Sequence, residues 1–262
     1  MENLFKKLVT FFNELSSNGL IELHEESLFP QEFNLTERFL QKYQKKISDE
    51  AGIEFNDDDI RILGLTSLSI KWNNKFIPKV KENINGGTSF LIYNSLCGIQ
   101  DEWLKENPLN HPQKLVENLY SFNDSEMRKH MSQRGRGCFY REYAKWPLDI
   151  YFFDEGIRIK MNISLEDYVQ ALIDSCAVSY WQYFYVDIDE IINQNQEMLL
   201  RDGILINNPI EDKDLDNPRL KYLINELEII TKNLPILFPE KDFSYHQDRL
   251  EQIKKKAKPY LL

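Results

Sequence analysis

Nowhere in the 262 residues is there a run of about 18 apolar side chains, so no segment reads as a membrane-crossing helix. The apolar N-terminus is interrupted by Glu2, Lys6, Lys7 and Glu14, which argues against a secretory leader and makes the cytoplasm the default compartment. Cysteine is scarce. Cys97, Cys138 and Cys176 are odd in number, far apart and in no paired motif, which argues against a disulfide framework or a zinc site. HExxH, GxSxG, a helix-opening GxGxxG, CxxC and the kinase set are all missing. Gly86-Gly87 is followed by Thr88 and Ser89 with no Lys, so no phosphate loop is implied. Asp57-Asp58-Asp59 could suggest calcium, but an EF-hand counted from Asp57 needs Gly at its sixth position and the chain has Ile62. The triplet therefore reads as a solvated loop, and neither metal nor cofactor is expected. Positive charge is also in deficit, with 32 Lys and Arg against 42 Asp and Glu and a formal charge of −10. Non-specific nucleic-acid binding requires phosphates to be neutralised, so this balance argues against it. Neither nucleic acid nor a membrane is expected as a partner.

Core-forming residues are plentiful: 42% of the chain is apolar and 13% aromatic, enough for one large domain or two small ones. The centre of organisation is residues 147–200. Leu148, Ile150 and Phe152 alternate with Asp149, Tyr151 and Phe153, Asp154-Glu155-Gly156 supplies turn residues, and Ile157, Ile159 and Met161 alternate with Arg158 and Lys160. That pattern is a β-hairpin. Ser164 is placed to cap a following helix, with Asp167 as the N3 partner of a capping box. Leu165, Tyr168, Val169, Leu172, Ile173, Cys176 and Ala177 then recur on one stripe, which must face a sheet or another helix. From Tyr180 to Ile192 helical spacing continues, although Trp181–Val186 is also rich in β-formers; helix is the preferred reading.

Before the hairpin, Leu4, Leu8, Phe11 and Leu15 mark a first helix that stops at Asn18-Gly19. Asn34 and Glu37 open a second helix closed by Gly52, entered through Phe29-Pro30. Leu65–Trp72 alternates as a half-buried strand, and Ser89–Tyr93 reads as a buried strand preceded by a Gly-Gly break. Residues 101–123 look irregular with one short helix. Arg128-Lys129-His130 and Arg134-Gly135-Arg136-Gly137 read as a mobile basic loop, with a phosphate or carboxylate clamp as the functional alternative. Phe139–Tyr143 is a further strand. After a linker over 202–217, Asn217-Pro218 starts a helix with Leu220, Leu223, Ile224, Leu227 and Ile230, and Ser244 with Gln247 caps a last helix ending in Lys254-Lys255-Lys256 before Pro259.

The chemistry-bearing residues do not cluster in sequence. His24, His111, His130 and His246 stand far apart, and no carboxylate pair is singled out among many. The order of elements nevertheless resembles the SMI1/KNR4, or SUKH, superfamily over roughly residues 25–190. The pieces that carry this are the strand ending at Trp72, the Gly-Gly-preceded strand, the hairpin, the helix opening Ser164-Leu165-Glu166-Asp167-Tyr168 and the pair Trp181-Gln182. The family usually has a Leu-Pro pair and an Asn-Gly motif after its first helix. Here Phe29-Pro30 precedes the long helix and Asn18-Gly19 comes before both.

The resemblance implies an α+β domain over 1–200, a mainly antiparallel sheet flanked by helices, with residues 201–262 as a helical extension packed on it. It also implies a non-catalytic, protein-binding role, in bacteria often that of an immunity protein against a polymorphic toxin. The acidic balance suits a basic toxin domain as partner, since opposite charge speeds encounter. Expected contact residues are the acids Asp57, Asp58, Asp59, Asp154 and Glu155, with Trp72 or Tyr151 as aromatic anchor where the ring is exposed. The competing expectation is a hydrolase that uses scattered carboxylates or histidines.

Overall fold

The structure is a computed structural model and describes residues 2–28, 41–42, 44–45, 49, 57–59, 62, 68–90, 97–98, 119–125, 135–140, 149–154, 157–201 and 217–261. Its helices are α1 (Glu2–Ser17), α2 (Leu165–Asp174), α3 (Ile188–Arg201), α4 (Pro218–Leu237) and α5 (Ser244–Ala257). Its strands are β1 (Ile21–Leu28), β2 (Leu68–Asn74), β3 (Asn85–Phe90), β4 (Cys97–Gly98), β5 (Leu119–Ser125), β6 (Gly135–Tyr140), β7 (Ile150–Asp154) and β8 (Ile157–Met161). All eight join one antiparallel sheet in the order β1-β2-β3-β5-β6-β7-β8, with β4 paired to β5 off that path. The fold is α+β. A three-pair ladder, Thr88 to Ser125 through Phe90 to Asn123, joins the β1–β3 part of the sheet to the β5–β8 part.

The hairpin forms as its alternation requires, from Ile150 opposite Met161 to Asp154 opposite Ile157. Period-two pleating sends Phe152 into the main core and Phe153 into a small cluster with Leu119 and Cys138 on the other face. The capping box is present: Ser164 Oγ accepts from the Asp167 N–H at 3.1 Å, and the Asp167 carboxylate accepts from the Ser164 N–H at 3.4 Å. Every residue of the expected stripe is buried. The helix itself stops at Asp174, so Cys176 and Ala177 reach the core from the turn beyond it. There Cys176 N–H bonds the Ile173 carbonyl and Ala177 N–H that of Leu172, a Schellman-type end with Cys176 in the left-handed conformation at φ 52°.

That turn pairs with β3 through an antiparallel bridge between Gly86 and Val178. The Gly87 N–H donates to the Ala177 carbonyl and the Ser179 N–H to that of Asn85, so the segment after α2 lies hydrogen-bonded on the strand. The Trp72 ring fills the remaining space and donates from Nε1 to the Cys176 carbonyl at 3.0 Å. A Cβ on Gly86 would stand 2.5 Å from that ring and 2.6 Å from the Ala177 carbonyl oxygen. The Gly-Gly pair is therefore strand interior rather than the break before a strand, because only a residue without a side chain fits beneath Trp72. β6 corrects the sequence reading in the same way. Gly135, Arg136 and Gly137 are paired strand residues and no mobile loop, and a Cβ on Gly137 would come within 2.5 Å of Tyr168 Oη.

Other expectations also change. Leu119–Asn123 belongs to β5 rather than to irregular chain, and Trp181–Phe184 is a single 3₁₀ turn entered through left-handed Tyr180 before α3 begins. Asp187 Oδ1 caps α3, accepting from the N–H groups of Asp189 and Glu190. Asp57–Asp59 is helical where a solvated loop was expected. Ser244 is the first residue of α5 instead of its cap, and its own N–H donates to Asp242. Asn217 caps α4 as expected, accepting from the Leu220 N–H at 2.9 Å, with Pro218 at the first helical position. The buried faces of α4 and α5 merge with those of α1, α2 and the sheet into one hydrophobic cluster. The expected helix 34–52 lies mostly outside the described residues, of which those within it are helical. Residues 101–118, 126–134 and 202–216 lie outside them as well.

Candidate functional site

Three groupings carry the chemistry of the described chain, two sealed and one open. The first joins α5 to the end of α2. Ser175 Oγ lies 2.9 Å from His246 Nε2, a spacing that would suit a nucleophile and its base. The surroundings do not suit that work. Ser175 is wholly buried, His246 is 2% exposed, and the imidazole is packed among the rings of Phe184, Tyr185, Phe243 and Tyr245 at centroid distances of 4.8–5.9 Å. No carboxylate orients the ring, for Nδ1 has no hydrogen-bond partner. Burial lowers the His246 pKa from 6.5 to about 4, so the ring is neutral near pH 7. Arg249 completes this joint by donating Nε to the Phe184 carbonyl at 3.1 Å and Nη2 to that of Val186.

The second grouping surrounds Asp154 at the end of β7. Its Oδ2 accepts from Tyr183 Oη at 2.7 Å, while Oδ1 is buried with no hydrogen-bond partner. Burial raises the Asp154 pKa, against lowering by the Tyr183 hydrogen bond and the Arg219 charge. Tyr180 stands nearby, raised by its own burial and by its hydrogen bond with Tyr222. A buried carboxyl against phenols is a proton-holding arrangement, but it faces the core.

The open grouping is the turn between β2 and β3. Phe76 is 93% exposed, against 44% for Tyr222 and 50% for Tyr245, the other exposed large hydrophobics among the described residues. Lys75, Lys79 and Lys81 flank it and are exposed as well.

No family model matches the chain, and neither does a curated protein nor a solved structure. Function therefore has to be read from these groupings alone. Among the described residues no set of three or more His, Cys, Asp or Glu could hold a metal ion, and no helix is long and apolar enough to cross a membrane.

The expected contact residues do not share a surface. Trp72 is a core residue, edge-on to Phe238 at 5.6 Å, and Asp154 is buried, so neither can act as an exposed contact. Asp59 is buried too, its carboxyl pushed up to about 7 by burial and by the neighbouring Asp58 charge. Asp57 and Asp58 are exposed, and Tyr151 is half-buried with the Arg158 guanidinium 5.8 Å from its ring centroid. Glu155 lies outside the described residues. Sequence reading passed over Phe76. The signal was present, because Lys75-Phe-Ile-Pro-Lys-Val-Lys81 places an aromatic residue and a turn proline among three lysines directly after a strand.

Proposed function

We propose that this chain is a non-catalytic protein-binding domain, and that the SUKH resemblance points to the kind of partner, a toxin neutralised by the bound chain. The observation that carries the reading is Phe76, a large aromatic left almost wholly in water on a hydrogen-bonded turn. Aromatic side chains dominate interface energetics because they bury much area with few rotatable bonds. The net charge of −10 adds long-range attraction for a basic partner, which acts on encounter more than on residence.

A hydrolase remains the second reading, favoured by the 2.9 Å approach of Ser175 to His246. A nucleophile must reach its substrate, and this hydroxyl is wholly buried. One experiment separates the two: co-expression with the product of a toxin gene neighbouring this one, alongside a panel of ester, phosphoester, peptide and glycoside substrates. Neutralisation without turnover supports the binder. Turnover that disappears in Ser175→Ala moves the assignment to the hydrolase.

A further inference from the structure

The β2–β3 turn is built as a fixed platform. The Asn74 N–H donates to the Ile84 carbonyl at 2.9 Å, and Asn74 Oδ1 accepts from the Ile84 N–H at 2.6 Å. The Lys75 N–H donates to the Leu20 carbonyl just before β1, Lys75 Nζ to the Gly19 carbonyl, and the Val80 N–H to the Ile77 carbonyl across the Pro78-Lys79 turn. Val80 and Ile84 anchor the turn in the core from below. On this backbone Phe76 is left 93% exposed. An exposed Phe on a preorganised backbone loses little further freedom on binding.

Charge then selects the partner. From Lys75 to Lys81 there are three lysines and no acid, in a chain that is otherwise acidic overall. The nearest acids are Glu82, whose carboxylate accepts from Asn233 Nδ2 at 3.4 Å, and Glu22, opposite Asn73 on β1; acids more than about 8 Å away are screened at physiological salt, so a ligand on this tip meets chiefly the three lysines around one aromatic side chain. A single ring on a narrow turn offers an anionic bilayer little area to insert. We infer that the Lys75–Lys81 turn is a docking tip that seats Phe76 in an apolar pocket of a partner protein, with carboxylates on the pocket rim pairing with Lys79 and Lys81. This rests on the protein-binding reading above and narrows it to one surface and one partner chemistry.

The test introduces the photoreactive p-benzoylphenylalanine in place of Phe76, Tyr222 or Tyr245, one at a time, in the full chain within the cells that make it. The expected result is an adduct from position 76 to a single protein, in an apolar segment flanked by Asp or Glu, with a yield that falls when Lys79→Glu and Lys81→Glu are added. With that protein purified, Phe76→Ala should weaken binding about 30-fold or more, and the double charge reversal should speed dissociation, since the rim pairs act at contact while the overall charge of the chain governs encounter. Adducts formed only from 222 or 245, an adduct at 76 in a segment without acids, or one unaffected by the charge reversal would overturn the docking tip and leave the protein-binding reading standing. Lipid adducts from 76 would overturn it in favour of a membrane surface. No adduct from any of the three positions would overturn both.

Discussion

Lowering the pH should loosen the joint between α5 and α2, because a proton on His246 has nowhere favourable to go. In the folded chain the imidazole is neutral, with a pKa near 4 rather than 6.5, so the unfolded chain binds a proton more readily than the folded one. Its contribution to stability is complete above pH 6.5 and is lost as the pH falls towards 4. The drop from 6.5 to about 4 corresponds to about 3 kcal/mol in full, of which about 2 kcal/mol is lost between pH 7.5 and pH 5. Other groups titrate in the same window. Asp59, raised to about 7, works in the opposite direction, since its contribution is present below 3.8 and is lost as the pH rises through 7. The informative quantity is therefore a difference at each pH between the parent and His246→Phe, which keeps a ring in the aromatic enclosure and cannot titrate. Urea unfolding from pH 5 to 7.5 should show the parent losing about 2 kcal/mol relative to the variant as the pH falls. A difference that stays constant over that range would refute the buried neutral imidazole.

Three further outcomes follow from the packing. Gly137→Ala should destabilise by about 1–3 kcal/mol, because its Cβ meets Tyr168 Oη, itself held at 2.8 Å by Asn123, and a thermal midpoint equal to the parent's would contradict the close approach. Asn217→Ala should cost about 1 kcal/mol through loss of the α4 cap, read as an unchanged urea m-value with a lower midpoint. Asp59→Asn should remove the fall in stability between pH 5 and pH 8 that the parent owes to that carboxyl, and a slope unchanged by the substitution would show that Asp59 ionises as freely in the folded chain as in the unfolded one.

The parts of the fold legible in the sequence are those whose cause is local. The β7–β8 alternation, the Ser164–Asp167 capping box and the Asn217-Pro218 start are each specified within a few residues, and each is found where it was expected. β1 escaped because its register shifts between Leu23 and Glu25, which breaks the alternation that Ile21 and Leu23 begin. β3 and β6 were misread because glycine is a breaker by propensity. At Gly86 and Gly137 that propensity is overridden by the rings of Trp72 and Tyr168, which lie distant in sequence. β5 carries buried polar residues. Asn123 donates to Thr88 Oγ1 at 2.7 Å and accepts from Tyr168 Oη, so its place in the sheet rests on partners 35 and 45 residues away. The site was less legible than the fold. Trp72 and Phe76 are four residues apart, both aromatic and both next to lysine, and only the tertiary fold decides that one lies beneath the α2 turn while the other stands in solvent.

Native mass spectrometry of the full chain, purified at low salt from the cells that make it, bears most directly on the proposal that it works by binding another protein. A stoichiometric complex with one further protein, lost in Phe76→Ala, is the predicted result. The chain alone at every salt concentration, in the parent as in the variant, would contradict it.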